Sequence, residues 1–452
     1  MKIIIIGCDK VGQSLAAELG AEGNDIVVVD KDAHRVREVA TKYDLMGVIG
    51  NGATRETQKE AGVDSADLLI AVTGSDELNL LCCVMAKKAS NCQTIARVKS
   101  PEYAADAPYL KEELGLAMVI NPDQAAAEEI MRVLNFPTAM SIEPFAKGQM
   151  ELITFRMPEG SILVGMSVRE VISKFKCNIL ISTVQRGGEA YIPNGDFVFA
   201  ERDVISIIAA KKSAQSFFGK VGHKLEPARD VIIAGGVGAT YYLADGLNRT
   251  QRTVRVVEKD EAVCNDVSTR FKNVAVIHGD PSNESLMYEE GIARADAFVA
   301  MMESDEENIL LSLFAKNAGV GKIITRINRT DYDGIINKLD LDTIIYPKNI
   351  TADTIIRYVR AISNSHGGNI ETLYNIGKGD IEAVEFKVDG ELSLTGIPIS
   401  QLKLKPNVLV AAILRGRSMI VPRGQDMILP GDSVVIVSKD LTLGTLTEVL
   451  VK

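Results

Sequence analysis

The chain repeats itself, and that constrains its fold more than any other feature. Ile3-Ile4-Ile5-Ile6-Gly7 matches Val231-Ile232-Ile233-Ala234-Gly235 at an offset of 228 residues. Val27-Val28-Val29-Asp30-Lys31-Asp32 matches Arg255-Val256-Val257-Glu258-Lys259-Asp260 at the same offset. One inserted residue then moves the offset to 229. Ala61-Gly62-Val63-Asp64-Ser65-Ala66-Asp67 now matches Glu290-Gly291-Ile292-Ala293-Arg294-Ala295-Asp296, and Ala96-Arg97-Val98 matches Thr325-Arg326-Ile327. The register persists to Glu201-Arg202-Asp203-Val204-Ile205 against Pro430-Gly431-Asp432-Ser433-Val434. Two copies of roughly 225 residues are too large for solenoid repeats, and each is long enough to hold its own cores.

Each copy changes character part-way. Lys2–Ile6, Asp25–Val29, Gly47–Gly50, Leu68–Thr73, Thr94–Val98 and Val119–Ile120 read as strands, with helices such as Val11–Leu19 and Ala33–Tyr43 between them. That alternation predicts a parallel sheet covered by helices on both faces. From Phe136 the pattern becomes β-rich: Leu152–Arg156, Ile179–Gln185 and Val204–Ala209, interrupted by one short helix, Val168–Lys174. The fold class is α/β, with two Rossmann-like doubly wound parallel sheets, each followed by a small α+β lobe. The expected boundaries are 1–135 and 136–219 for the first copy, a polar linker at 220–229, then 230–362 and 363–452.

A net charge of −10 disfavours nucleic acid as a partner. No apolar run is long enough to cross a bilayer, and the N-terminus enters a strand directly, so a cytoplasmic location is expected. The six cysteines form no C-x-x-C pair and read as small buried thiols. The four histidines, His34, His223, His278 and His366, are too dispersed for metal-ligand spacing, so no metal is expected.

The chemistry lies at the first strand–helix turn. In G-x-G-x-x-G the first glycine makes the turn, the second admits phosphate to the backbone, and the third lets helix and strand pack. The first copy reads Gly7-Cys8-Asp9-Lys10-Val11-Gly12, with Asp9 in the second glycine position. Asp30 ends the next strand, where a carboxylate accepts ribose hydroxyls; it would repel a 2′-phosphate, which favours NAD or an adenine nucleotide over NADP. Its alternative role is to cap the following helix. A carboxylate at Asp9 opposes phosphate, so either Asp9 turns outward, a cation bridges, or the ligand carries less phosphate. Lys10 is a candidate counter-charge. Arg97, at a strand end, is a candidate phosphate holder, or else a surface ion-pair residue. In the second copy, Gly235-Gly236-Val237-Gly238-Ala239-Thr240, valine and threonine replace the second and third glycines, and Thr240 is expected to crowd the helix–strand contact. Glu258 and Arg326 repeat Asp30 and Arg97. This cradle reads as the more degenerate, and a structural role remains open for it. Lys31, Asn51-Gly52-Ala53 and Thr73-Gly74 in the first copy, and Gly279-Asp280 and Met302-Glu303 in the second, complete the candidates at strand carboxyl ends. No nucleophile elbow, P-loop or metal cluster is evident, so an enzyme is not expected.

The order of these motifs resembles the RCK (KTN, TrkA-N) domain, and the β-rich lobes resemble its companion RCK-C (TrkA-C) domain. The N-C-N-C order is similar to that of the tandem-RCK regulatory subunits of Trk-type potassium uptake systems. The resemblance implies NAD or NADH, or ATP or ADP, in the N-lobes. It also implies a homo-oligomeric gating ring, dimer or tetramer, peripheral on the inner face of the membrane beneath a TrkH-like potassium-translocating subunit. Whether the C-lobes take a cyclic dinucleotide stays open. A regulator of another cation transporter and an NAD-dependent oxidoreductase are the rival readings.

Overall fold

The computed structural model describes residues 1–145, 148–223, 226–329, 336, 339, 341–365, 370–376, 381–416, 418–439, 443 and 445–451. His366, and Lys224 and Leu225 of the expected linker, lie outside the described residues.

The first N-lobe runs β1 (Lys2–Ile6), α1 (Lys10–Ala21), β2 (Asp25–Asp30), α2 (Ala33–Tyr43), β3 (Met46–Ile49), α3 (Arg55–Glu60), β4 (Leu68–Ala71), α4 (Asp76–Ala89), β5 (Gln93–Arg97), α5 (Pro101–Ala105), α6 (Ala107–Glu113), β6 (Met118–Ile120) and α7 (Pro122–Asn135). Its sheet is parallel in the order β3-β2-β1-β4-β5-β6. Ile3 to Ile6 are almost wholly buried, because helices cover both faces and no side of a central strand meets water. The order reverses direction between β1 and β4, which opens a crevice beyond their carboxyl ends.

The first C-lobe contains β7 (Ser141–Phe145), β8 (Met150–Arg156), α8 (Val168–Phe175), β9 (Ile179–Arg186), β10 (Glu189–Tyr191), β11 (Val204–Ala209) and α9 (Lys211–Lys220). Its sheet order is β10-β9-β11-β8-β7, all antiparallel. Two elements correct the sequence reading. α9 is a second helix in the lobe and carries Phe217 and Phe218 into the core. β7 contains Pro144 and survives because it is an edge strand, where a missing N–H costs no ladder bond. The linker is also corrected. Lys220 belongs to α9, Val221 is in the lobe core, and the Ala228 N–H donates to the Leu134 carbonyl at 2.9 Å.

The second copy repeats this plan with β12 (Asp230–Ala234), α10 (Ala239–Asn248), β13 (Thr253–Glu258), α11 (Glu261–Arg270), β14 (Val274–His278), α12 (Glu284–Glu289), β15 (Ala297–Ala300), α13 (Asp305–Asn317), β16 (Lys322–Arg326), β17 (Thr343–Ile345) and α14 (Pro347–Ser365). The sheet order β14-β13-β12-β15-β16-β17 copies the first. α14 runs through the expected 362/363 boundary without a break. The second C-lobe has β18 (Ile370–Ile376), β19 (Ile381–Lys387), β20 (Val408–Arg415), β21 (Ser418–Ile420) and β22 (Ser433–Lys439), in the equivalent order β18-β19-β22-β20-β21.

Like packs with like. Residues 1–131 and 229–356 form one compact unit, and residues 132–228 and 357–452 form another. Each copy holds its own cores, and the C-lobe unit adds one that the two copies share. Met150, Leu152 and Ile208 of the first C-lobe share a buried cluster with Ala383, Ala411, Val435 and Val437 of the second. In the N-lobe unit, the Tyr242 hydroxyl on α10 donates to the Lys99 carbonyl at 2.8 Å, and Asn121 Nδ2 donates to the Tyr242 oxygen at 2.7 Å.

Candidate functional site

The turn after β1 is as tight as the glycine spacing requires. Gly7 has φ +111°, and a Cβ there would meet the Val72 and Thr73 backbone at 3.0 Å. A Cβ on Gly12 would lie 1.8 Å from the Gly7 carbonyl oxygen, so helix and strand meet only because that residue is glycine. Asp30 at the end of β2 grips the turn, with the Cys8 N–H donating to Oδ2 at 2.7 Å and the Asp32 N–H to Oδ1 at 3.0 Å. Asp32, not Asp30, caps α2. The Cys8 thiol is pushed up to about 12 by burial and then by the charges of Asp30 and Asp9, so it is an inert wall of the turn.

Asp9 does not turn outward. Its carboxylate turns inward and caps α1. Oδ1 accepts the N–H groups of Val11 at 3.0 Å and Gly12 at 3.2 Å, and Oδ2 accepts Arg97 Nη2 at 2.8 Å. Arg97 is 3% exposed and also donates to the Thr73 carbonyl at 2.8 Å. Arg97 is thus a buried ion-pair residue rather than a surface one. The Asp9 carboxylate occupies the place where a helix N-terminus and an arginine would receive an anion.

The remaining residues frame a cleft of about 140 Å³, lined by Gly7, Asp9, Asp30, Lys31, Arg35, Gly50, Gly52, Thr73 and Gly74 among others. Lys10 is exposed at the first position of α1. In the loop after β3, Asn51 Oδ1 accepts the Ala53 N–H at 3.2 Å, and buried Gln58 donates to the Gly52 carbonyl at 2.7 Å.

The second turn has the same entry and a different exit. Gly235 repeats the left-handed backbone at φ +101°. The Gly236 N–H donates to Glu258 Oε2 at 2.6 Å, and the Asp260 N–H to Oε1 at 2.8 Å, which copies the Asp30 grip. Thr240 does not crowd the contact. Its hydroxyl donates to the Gly235 carbonyl at 2.8 Å, which replaces glycine contact by a hydrogen bond. Val237 stands where Asp9 stands in the first copy. The N-cap of α10 shifts to Gly238, Ala239 becomes its first residue, and no side chain caps it. Gly279 follows β14, and Asp280 accepts the Ser282 N–H at 2.8 Å, which holds its carboxyl below the usual range. The Met302 side chain lies in the second N-lobe core rather than in a cleft; Glu303 is exposed. Arg326 ends β16.

Two residues that tie these strand ends together were not among the sequence candidates. Buried Asn79 accepts the Thr73 N–H at 2.7 Å and donates to the Thr73 and Arg97 carbonyls at 3.0 and 2.9 Å. Asn308 does the same for Met302 and Arg326, at 2.7, 2.9 and 3.0 Å. Both asparagines stand four residues after the serine of the Ser-Asp-Glu run that recurs in each copy, which was the available signal. Arg35 on α2, also at the cleft, was missed for want of any motif.

The TrkA-N domain family matches residues 3–122 and 231–347, and the TrkA-C domain family matches residues 152–222 and 383–450. The chain belongs to the TrkA family. Among its relatives is Trk system potassium uptake protein TrkA homolog 1 of Methanosarcina mazei, 31% identical over 446 residues and covered to 97% on both sides. Trk system potassium uptake protein TrkA of Haemophilus influenzae is 30% identical over 449 residues, covering 97% of this chain and 96% of that one. Solved structures with the same fold include the GsuK RCK domain (TM-score 0.64, 18% identity, 97% of this chain and 92% of that one). The GsuK channel bound to NAD is another, with TM-score 0.63 and 18% identity over 97% of this chain and 77% of that one. The TrkA-N matches cover both glycine turns, and the TrkA-C matches cover each antiparallel lobe except its first strand. Among the described residues no helix is long and apolar enough to cross a membrane.

Proposed function

We propose that this chain is the nucleotide-sensing regulatory subunit of a Trk-type potassium uptake system. It works from the cytoplasmic face beneath a membrane-embedded potassium-translocating subunit, and it does so without turning its ligand over. The observation that carries this reading is the first cleft: a glycine turn at the β1/β4 reversal, lined by the Asp30 carboxylate that the Cys8 N–H holds. The full-length relation to Trk system proteins and the NAD-bound fold neighbour support it.

The ligand class is NAD(H) or ADP and ATP. A bound nucleotide favours one arrangement of the paired N-lobes only to the extent that it binds that arrangement more tightly. One chain supplies two N-lobes, so a homo-oligomeric ring, dimer or tetramer, needs fewer chains than one built from single-unit relatives.

Tagged protein purified from gently solubilised membranes should bring a potassium-translocating membrane protein with it. Potassium flux through that complex in vesicles should respond to NADH, ADP or ATP. Recovery of a different cation transporter would move the reading to that system. NADH oxidation at the nicotinamide absorbance band in the presence of a small substrate would contradict it.

A further inference from the structure

One junction between the two N-lobes lies just past the end of β5, where the Lys99 peptide is held from both sides. Asp76 Oδ2 accepts the N–H groups of Lys99 at 2.9 Å and Ser100 at 2.7 Å. The Lys99 carbonyl accepts the Tyr242 hydroxyl of the second N-lobe at 2.8 Å, and Asn121 Nδ2 donates to that phenol oxygen at 2.7 Å. Tyr242 is half-buried, and burial pushes its phenol up to about 12, so it keeps the proton it donates.

Both sides of this junction lead to a glycine turn. On the first side, Thr73, Gly74 and Asp9 line the cleft. The Thr73 carbonyl accepts Arg97 Nη2 and Asn79 Nδ2, and Asn79 also donates to the Arg97 carbonyl. Asp76 opens α4 two residues after Gly74. The wall of the cleft therefore grips the segment that carries Lys99 at two points, Arg97 and Asp76. On the second side, Tyr242 is the fourth residue of α10, and Thr240, two residues before it, donates to the Gly235 carbonyl at 2.8 Å. Further along that helix, Met131 of α7 lies 3.6 Å from where a side chain on Gly246 would begin. The first N-lobe offers no tyrosine at the equivalent place. Ser14 stands there, and its hydroxyl donates to Glu18 Oε1 on its own helix at 3.1 Å.

We propose that Tyr242 is a coupling residue, through which a nucleotide in the first cleft acts on the second N-lobe. This rests on the nucleotide reading above. A ligand packed on Thr73 and Gly74 restricts the loop that leads into Asp76 and the carbonyl that Arg97 holds. Lys99 is fixed with them, and its carbonyl becomes a steadier acceptor for Tyr242. α10 is then held in its first turn, beside the second glycine turn. The effect is as large as the ligand's preference for the steadied arrangement, and no larger.

Amide hydrogen exchange of the full chain, with and without millimolar ADP, tests this. In wild type ADP should slow exchange by about fivefold both at residues 7–12 and in α10. Tyr242→Phe keeps the ring and loses the hydroxyl. It should retain the slowing at residues 7–12, while that in α10 falls below about twofold. The ratio of rates with and without ADP cancels any general loosening of the variant. Asn121→Asp keeps the oxygen that accepts the Gln124 N–H at the start of α7 but draws the Tyr242 proton away from Lys99, and it should behave alike. Undiminished slowing of α10 in either variant, or wild type that responds at residues 7–12 and not in α10, would overturn the proposal. No response at either place would defeat the nucleotide reading itself, which is a different result from a first cleft that binds ADP and leaves α10 unaffected.

Discussion

One carboxylate, Asp9, serves both the N-terminus of α1 and the buried Arg97 guanidinium. The glycines and Asp30 were legible because their spacing follows from fixed backbone geometry, and Gly7, Gly12 and Asp30 meet as that spacing requires. The direction of Asp9 was not, because a side-chain rotamer depends on a partner that arrives 88 residues later, Arg97. A signal did exist: an aspartate immediately before a helix is a capping residue, and that rule outweighs the phosphate argument here. Asp9→Gly is predicted to leave Arg97 buried without its counter-ion and to lower stability by about 2 kcal/mol in denaturant unfolding. ADP should recover more stability in this variant than in wild type, because a phosphate can take the vacated place on α1 and Arg97. A smaller ligand-induced rise in melting temperature than in wild type would show that Asp9 does not compete for that place.

Among elements, the parallel strands were readable from alternation, and the antiparallel lobes from their turns; the strand order came only with the structure. What escaped depended on packing partners that periodicity does not reveal. α9 and β7 are short, and α9 earns its place through Phe217 and Phe218 packing on Phe155 and each other. Asn79 links the ends of β4 and β5 from α4. Asn79→Ala should leave the Thr73 N–H and the Thr73 and Arg97 carbonyls short of a partner, at about 2–3 kcal/mol. Asn308→Ala should cost a similar amount, and chemical denaturation of both variants measures it. The segment read as a plain linker places His223 edge-on to Phe155 and Phe218, and burial holds its imidazole below the ordinary value. The fold therefore favours neutral His223, while the unfolded chain protonates more readily. Its contribution is complete above the ordinary pKa of about 6.5 and is lost as pH falls through and below it. Thermal melts between pH 7.5 and 5.5 should show this loss, and His223→Phe should flatten that part of the profile. An identical slope in the variant would assign the acid sensitivity elsewhere.

At the scale of the molecule, the duplication was visible but its packing was not, because a repeat in sequence does not say which copies of a lobe meet. N-lobe packs on N-lobe and C-lobe on C-lobe. A half-chain ending at residue 222 would expose Met150, Leu152 and Ile208, which the second C-lobe now covers. It is predicted to restore that contact by pairing with a second half-chain, so sedimentation should report a dimer; a stable monomer would contradict the shared core. The same pairing joins two unequal glycine turns in one compact unit. The first has Asp9 paired with Arg97, and the second has a helix that no side chain of its own N-cap holds, with Asp123 beside Gly238. The most direct measurement is a crystal structure of the full chain grown with millimolar ADP. The account predicts ADP in the first cleft, with its ribose on Asp30 and its phosphates outside the α1 N-terminus that Asp9 fills. An empty first cleft, or ADP in the second N-lobe alone, would contradict it.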